Sequence, residues 1–262
     1  MNFNPTEDQV MLRTAIERLV QATCPPEKVR EWDKAGIFPE DVYSAMVKAG
    51  FISMVIPTEY GGMGSSMSDC IILYEEVAKP SVDFATRVAL QAWGASILAD
   101  IGSDEQKEEI LPCVARGDKK LSFSLTEPQS GSDAAALNTS AKRDGSDWII
   151  NGQKLFSSGA DAPDNTIVLA VRTEKKLKRH DGISLFLVPN NLPGITIRRL
   201  DVIGRRIMGL SEIFFDDVRV PSHFLLGEAG RGWEYIGRHL ERERISLAAN
   251  YMGSATSALN DA

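Results

Sequence analysis

Residues 116–133 read R-G-D-K-K-L-S-F-S-L-T-E-P-Q-S-G-S-D, and the helical spacing of the chain stops within this stretch. Arg116-Gly117-Asp118 carries the stop signal of a helix, and Leu121-Ser122-Phe123 leans apolar. The following ten residues, with hydroxyls at Ser124, Thr126, Ser130 and Ser132, Pro128, Gly131 and two acids, cannot pack a core. Upstream the pattern is helical. Thr6-Glu7-Asp8-Gln9 has the form of a capping box, followed by Leu12, Ile16, Leu19 and Val20 at helical spacing. Further helices are expected over about 40–49, 66–78 and 84–101, and Ser103-Asp104-Glu105-Gln106 caps another.

Downstream, the apolar runs are short and rich in β-branched residues. Asn151-Gly152, flanked by Trp148-Ile149-Ile150 and Gln153-Lys154-Leu155-Phe156, predicts a hairpin turn. Residues 167–171, 183–188, 195–199 and 212–215 predict further strands, and from Trp233 the helical spacing returns and runs to the last residue. The expected fold class is therefore α+β. An N-terminal all-α domain (1–118) precedes a middle antiparallel β-barrel or sandwich (119–229) and the start of a C-terminal helical bundle (230–262).

Composition narrows the function classes. With 262 residues, 43% of them hydrophobic, the chain can bury two cores. A formal charge of −7 with acids and bases interspersed argues against a nucleic-acid binder. No apolar run is long enough for a membrane span, and the first residues lack the features of a signal peptide. Cys24, Cys70 and Cys113, odd in number and far apart, read as reduced thiols of a cytoplasmic protein. His180, His223 and His239 have no partners at metal-ligand spacing, so no metal is expected. Gly62-Met63-Gly64 lacks both the third glycine and the βαβ setting of a dinucleotide fingerprint.

Two segments remain as candidates. Residues 124–133 are either a plain turn or a backbone and hydroxyl cradle for a ligand, with Gly131 allowing close approach. Glu241-Arg242-Glu243-Arg244 is either a solvated charge run or the holder of a base. Trp233, Ile236, Leu240, Leu247 and Tyr251 form an apolar stripe at spacings of three and four, and Glu243 and Arg244 flank it. A carboxylate at that rim loses water and gains basicity, unless Arg242, Arg244 or His239 pairs with it.

Taken together, the motifs resemble the acyl-CoA dehydrogenase family. Thr126-Glu127-Pro128-Gln129-Ser130-Gly131-Ser132-Asp133 is similar to its T-E-P-x-x-G-S-D signature, and Asn151-Gly152-Gln153-Lys154 with Phe156-Ser157-Ser158 to its N-G-x-K-x-[WF]-I-[ST] segment. Ile56-Pro57-Thr58-Glu59-Tyr60-Gly61-Gly62, Phe215-Asp216-Asp217-Val218-Arg219-Val220-Pro221 and Leu226-Gly227-Glu228 also match, in order along the chain. The resemblance implies FAD as cofactor, with Phe123, Leu125, Thr126, Gly131, Ser132, Phe156, Ser157 and Ser158 along it. Phe156 stands where most members have Trp, and Ser157-Ser158 replaces Ile-Thr.

It also implies an acyl-CoA thioester as substrate, with Ser132, Glu241 and Arg244 helping to hold it and Glu243 taking an α-proton as the β-hydride leaves for the flavin. That base position is shared with an isovaleryl-CoA dehydrogenase-like or crotonobetainyl-CoA reductase-like subset. Implied partners are an electron-transfer flavoprotein and further copies of the chain, a tetramer where the whole C-terminal bundle is present. Family members continue into that bundle, and this sequence holds only its first helix. A non-catalytic relative that assembles with another chain is the alternative reading.

Overall fold

The computed structural model describes residues 4–174 and 178–262. Its first half is a helical layer: α1 (Glu7–Thr23), α2 (Pro26–Ala35), α3 (Glu40–Lys48), α4 (Met67–Ala78), α5 (Val82–Ile101) and α6 (Asp104–Ala115). Thr6 and Ser103 each form a full capping box with the glutamine three residues on, and Ser66 does so with Asp69. Each cap satisfies two otherwise orphaned N–H groups, worth about 1 kcal/mol. Apolar spacing does not announce α2, which buries no residue fully. Pro26 at its first position and Gly36 in the left-handed region (φ 63°) delimit it instead. α5 is buried on nearly every side, from Phe84 to Leu98, and is the axis of the helical layer.

The second half is an eight-stranded sheet ordered β6 (Ile195–Arg199), β7 (Leu210–Pro221), β3 (Asp147–Ser158), β2 (Ser140–Asp144), β4 (Asn165–Arg172), β5 (Ile183–Pro189), β8 (Leu225–Leu226), with β1 (Lys120–Ser124) beside β4. The sheet is mostly antiparallel, but β1 pairs β4 in parallel, Leu121 opposite Thr166 and Phe123 opposite Val168. The antiparallel expectation holds for the rest of the sheet, apart from a single parallel contact of β2 with β4. β1 enters directly from α6, so it reaches β4 from the helical side without a hairpin.

The expected turn at Asn151-Gly152 is also overturned. Both residues lie inside β3, a single twelve-residue strand paired with β7, where the register shifts between Ile150 and Gly152. Gly152 has φ 145°, and a Cβ there would lie 2.6 Å from the Thr139 Cα. The glycine thus serves a bulge and a close backbone approach rather than a reversal. Asn151 accepts from the Asp217 N–H (3.0 Å) and donates to its carboxylate (2.8 Å), which pins the bulge. The reversal lies earlier, at Gly145-Ser146, between the paired Asp144 and Asp147.

After the sheet, α7 (Gly232–Asp261) folds back onto α4 and α5. Its inward face is Tyr235, Ile236, His239, Ser246, Ala249, Asn250 and Gly253, a line of mostly small or polar residues. The predicted stripe shares only Ile236 with it among fully buried positions, and Tyr251 is 53% exposed. Close packing rotates the helix toward its small residues: a Cβ on Gly253 would sit 2.1 Å from the Glu75 carbonyl oxygen. No helix among the described residues is long and apolar enough to cross a membrane.

Candidate active site

A cavity of about 260 Å³ opens where α5, the end of β1, the end of β3 and α7 meet. It is lined by Leu90 and Trp93 of α5, by Phe123, Leu125 and Thr126, by Leu155, Phe156, Ser157 and Ser158, and by Leu240 and Glu243 of α7. Seven residues singled out in the sequence therefore share one space. Gly131 and Ser132 do not line it. They lie exposed in the loop that leaves it, and Glu241 and Arg244 are exposed on α7 on either side of Glu243.

The β3 wall is conformationally unusual. Phe156 has φ 57°, at a second register shift between Lys154 and Ser157, and the residue is 55% exposed. A bulky residue in the left-handed region costs on the order of 1–3 kcal/mol and persists only where its surroundings impose it. Behind the wall the buried Ser157 hydroxyl accepts from Ser124 (2.8 Å). Across the cavity Phe123 stands edge-on to Trp93, ring centres 4.2 Å apart. The Thr126 carbonyl accepts from the Leu155 N–H (2.9 Å), and its hydroxyl has no partner among the described residues.

Beneath this loop lies an ion pair that the sequence reading missed. Lys154 Nζ donates to Glu127 Oε1 (2.8 Å) and to the Leu125 carbonyl (3.0 Å). Glu127 also accepts from the backbone N–H groups of Asn138 (2.6 Å) and Thr139 (2.9 Å) and from the Gln129 amide (2.8 Å). Burial pushes the Lys154 ammonium down to about 8 against the pull of Glu127. Burial alone would raise the Glu127 carboxyl, but the charge and hydrogen bond of Lys154 and the N–H groups bring it below its ordinary value. The hydrogen bonds from Lys154 and from two backbone N–H groups favour the ionised form of Glu127.

Glu243 is half-buried, and burial raises its carboxyl above the usual carboxylate range, with the Arg244 charge opposing. No ion pair to it occurs among the described residues, so the pairing expected of a structural charge run is absent from this position. The turn of α7 that carries it is tied to α5, because the Trp93 indole donates to the His239 carbonyl oxygen (2.9 Å). His239 itself faces Asp100 (3.3 Å). Among the described residues no three His, Cys, Asp or Glu side chains gather as metal ligands. Trp93, Leu90, Leu155 and Leu240 were not foreseen as lining residues. Apolar residues in helices and strands carry no local mark of which cavity they face.

Comparison with known proteins agrees with this architecture. The family profile "Acyl-CoA dehydrogenase, N-terminal domain" matches residues 6–118, and "Acyl-CoA dehydrogenase, middle domain" matches residues 122–218. The chain belongs to the acyl-CoA dehydrogenase family. It is 36% identical to a probable acyl-CoA dehydrogenase, YngJ, of Bacillus subtilis (strain 168), over 99% of this chain and 68% of that protein. It is 33% identical to the mitochondrial long-chain specific acyl-CoA dehydrogenase of Sus scrofa, over 91% of this chain but 55% of that protein. Among solved structures, a glutaryl-coenzyme A dehydrogenase in complex with glutaryl-CoA superposes with a TM-score of 0.94 at 30% identity, covering 99% of this chain and 66% of that one. Butyryl-CoA dehydrogenase from Megasphaera elsdenii gives 0.93 at 28% identity, covering 100% and 69%.

Proposed function

We propose that the cavity receives a flavin ring and the acyl end of an acyl-CoA thioester, and that Glu243 is the base that removes the thioester α-proton. The observation that carries this reading is the shared space. A half-buried carboxylate free of ion pairs faces the same cavity as the exposed, strained Phe156 and the hydroxyl-bearing Thr126 and Ser158. These residues fit a flavin. Phe156 offers an aromatic face, the unpartnered Thr126 hydroxyl and Ser158 offer polar atoms at the rim, and Phe123, Leu125 and Ser157 complete the walls.

When bound, FAD would supply the two-electron acceptor for thioester oxidation, or the donor for the reverse reduction. The remaining chemistry falls to the chain itself. Glu243, raised by burial, accepts a carbon-bound proton more readily than an exposed carboxylate. Leu90, Trp93 and Leu240 keep water from the reacting carbons. The exposed Gly131 and Ser132 are assigned to the outer part of the cofactor, and Ser132, Glu241 and Arg244 to the CoA arm. An electron-transfer flavoprotein as redox partner and assembly into homo-oligomers belong to the same reading. A solved structure concerned with the electron transferring flavoprotein of Acidaminococcus fermentans is similar to this chain (TM-score 0.93, 33% identity).

The test is a visible spectrum of the purified chain with FAD, before and after anaerobic addition of acyl-CoA thioesters of varied length. Bleaching by one thioester, abolished in Glu243→Gln with flavin still bound, is the expected result. Unchanged bleaching in that variant would remove Glu243 from the role. A chain that takes up no FAD would overturn the reading for the chain as it stands.

A further inference from the structure

We propose that the buried Glu127–Lys154 pair is a positioning device for the cavity, holding the Leu125–Thr126 wall and the strained Leu155–Ser158 wall in fixed register. The inference rests on the cavity being the binding site proposed above.

Both side chains are 0–1% exposed, and such a pair does little for stability that well-packed apolar residues would not do better. What the pair does is connect. Lys154 immediately precedes the Leu155–Ser158 wall, and its ammonium reaches across to the Leu125 carbonyl on the opposite wall (3.0 Å). Glu127 follows Thr126, and its carboxylate gathers Lys154 together with the N–H groups of Asn138 and Thr139, where the loop returns to β2. A backbone cross-link, Leu155 N–H to Thr126 carbonyl (2.9 Å), lies between these two anchors. Arg172 on β4 is the other charge facing the pair, attracting Glu127 and repelling Lys154 while its own guanidinium donates to the Ala135 carbonyl (2.6 Å). The left-handed Phe156 needs surroundings that over-determine it, and the anchor two residues upstream supplies them.

The test uses the full chain and three forms of it: wild type, Lys154→Met, and Glu127→Gln with Lys154→Met. The double variant removes both charges at nearly constant volume and leaves no unpaired buried charge, so it recovers part of the stability lost by the single one, and it decides the matter should the single variant fail to fold. Amide hydrogen exchange is followed over 125–139 and 153–159 and, as control, over α4 and α5, alongside melting temperature and FAD affinity by flavin fluorescence. In the double variant the expected result is melting between that of wild type and the single variant, about tenfold faster exchange confined to the two segments, and about tenfold weaker FAD binding. Wild-type exchange in those segments would overturn the proposal, as would faster exchange spread evenly through α4 and α5. A wild-type chain that takes up no FAD refutes the functional reading alone, and exchange then decides this one.

Discussion

At the scale of single residues, Glu243 shows how burial sets chemistry. Its carboxyl is raised because its place inside α7 against the cavity wall strips it of water, and Arg244 compensates only in part. A carboxyl raised in the folded state binds its proton more tightly there than in the unfolded chain. Its contribution to stability is therefore fully present below the ordinary carboxylate value and is lost as pH rises through the raised one. Glu243→Gln should melt with wild type at acidic pH and above it at neutral pH, by thermal denaturation in matched buffers. Coincident curves at both pH values would show that the carboxyl is ordinary and solvated. Nothing in the four-charge run marks Glu243 over Glu241. Only the phase of the helix separates them, and packing set that phase: the buried face turned toward the small residues, with Leu240 and Glu243 left at the cavity.

At the scale of elements, most helices and strands were readable from capping residues and apolar spacing, since these depend on near neighbours. The exceptions have physical causes. α2 has a polar sequence and is defined by Pro26 and Gly36. Asn151-Gly152 carries a turn-forming dipeptide, yet pairing of β3 with β7 along its length overrides the local preference and converts the turn into a bulge. Gly152→Ala tests this directly. A methyl group would meet Thr139 at 2.6 Å in a backbone conformation that alanine avoids, so the variant should lose about 2 kcal/mol in urea denaturation. In a hairpin turn the same change would be felt as loss of φ freedom alone, without the clash against Thr139.

At the scale of the whole molecule, the helical layer and the sheet meet along α5 and β1, and α7 returns across α4 and α5 to close the cavity. The Trp93–His239 hydrogen bond is the point where α5 holds the turn of α7 that carries Glu243. Trp93→Phe keeps the aromatic contact with Phe123 and removes that bond. It should cost about 1 kcal/mol in stability, and if Glu243 is the base it should slow substrate bleaching more than it weakens FAD binding. Equal losses in both would place Trp93 in the cavity wall only.

The sequence by itself determined the order of elements, the family resemblance and the chemical character of both candidate segments, because caps, turn residues and hydroxyl-rich motifs act over a few positions. Tertiary structure alone decided that residues from 90, 126, 156 and 243 share one cavity, that Phe156 is strained, and that Glu127 and Lys154 are buried together. Those facts arise from contacts between segments far apart in the chain, where close packing and the cost of an unpaired buried charge select the partner, and no local pattern records the selection.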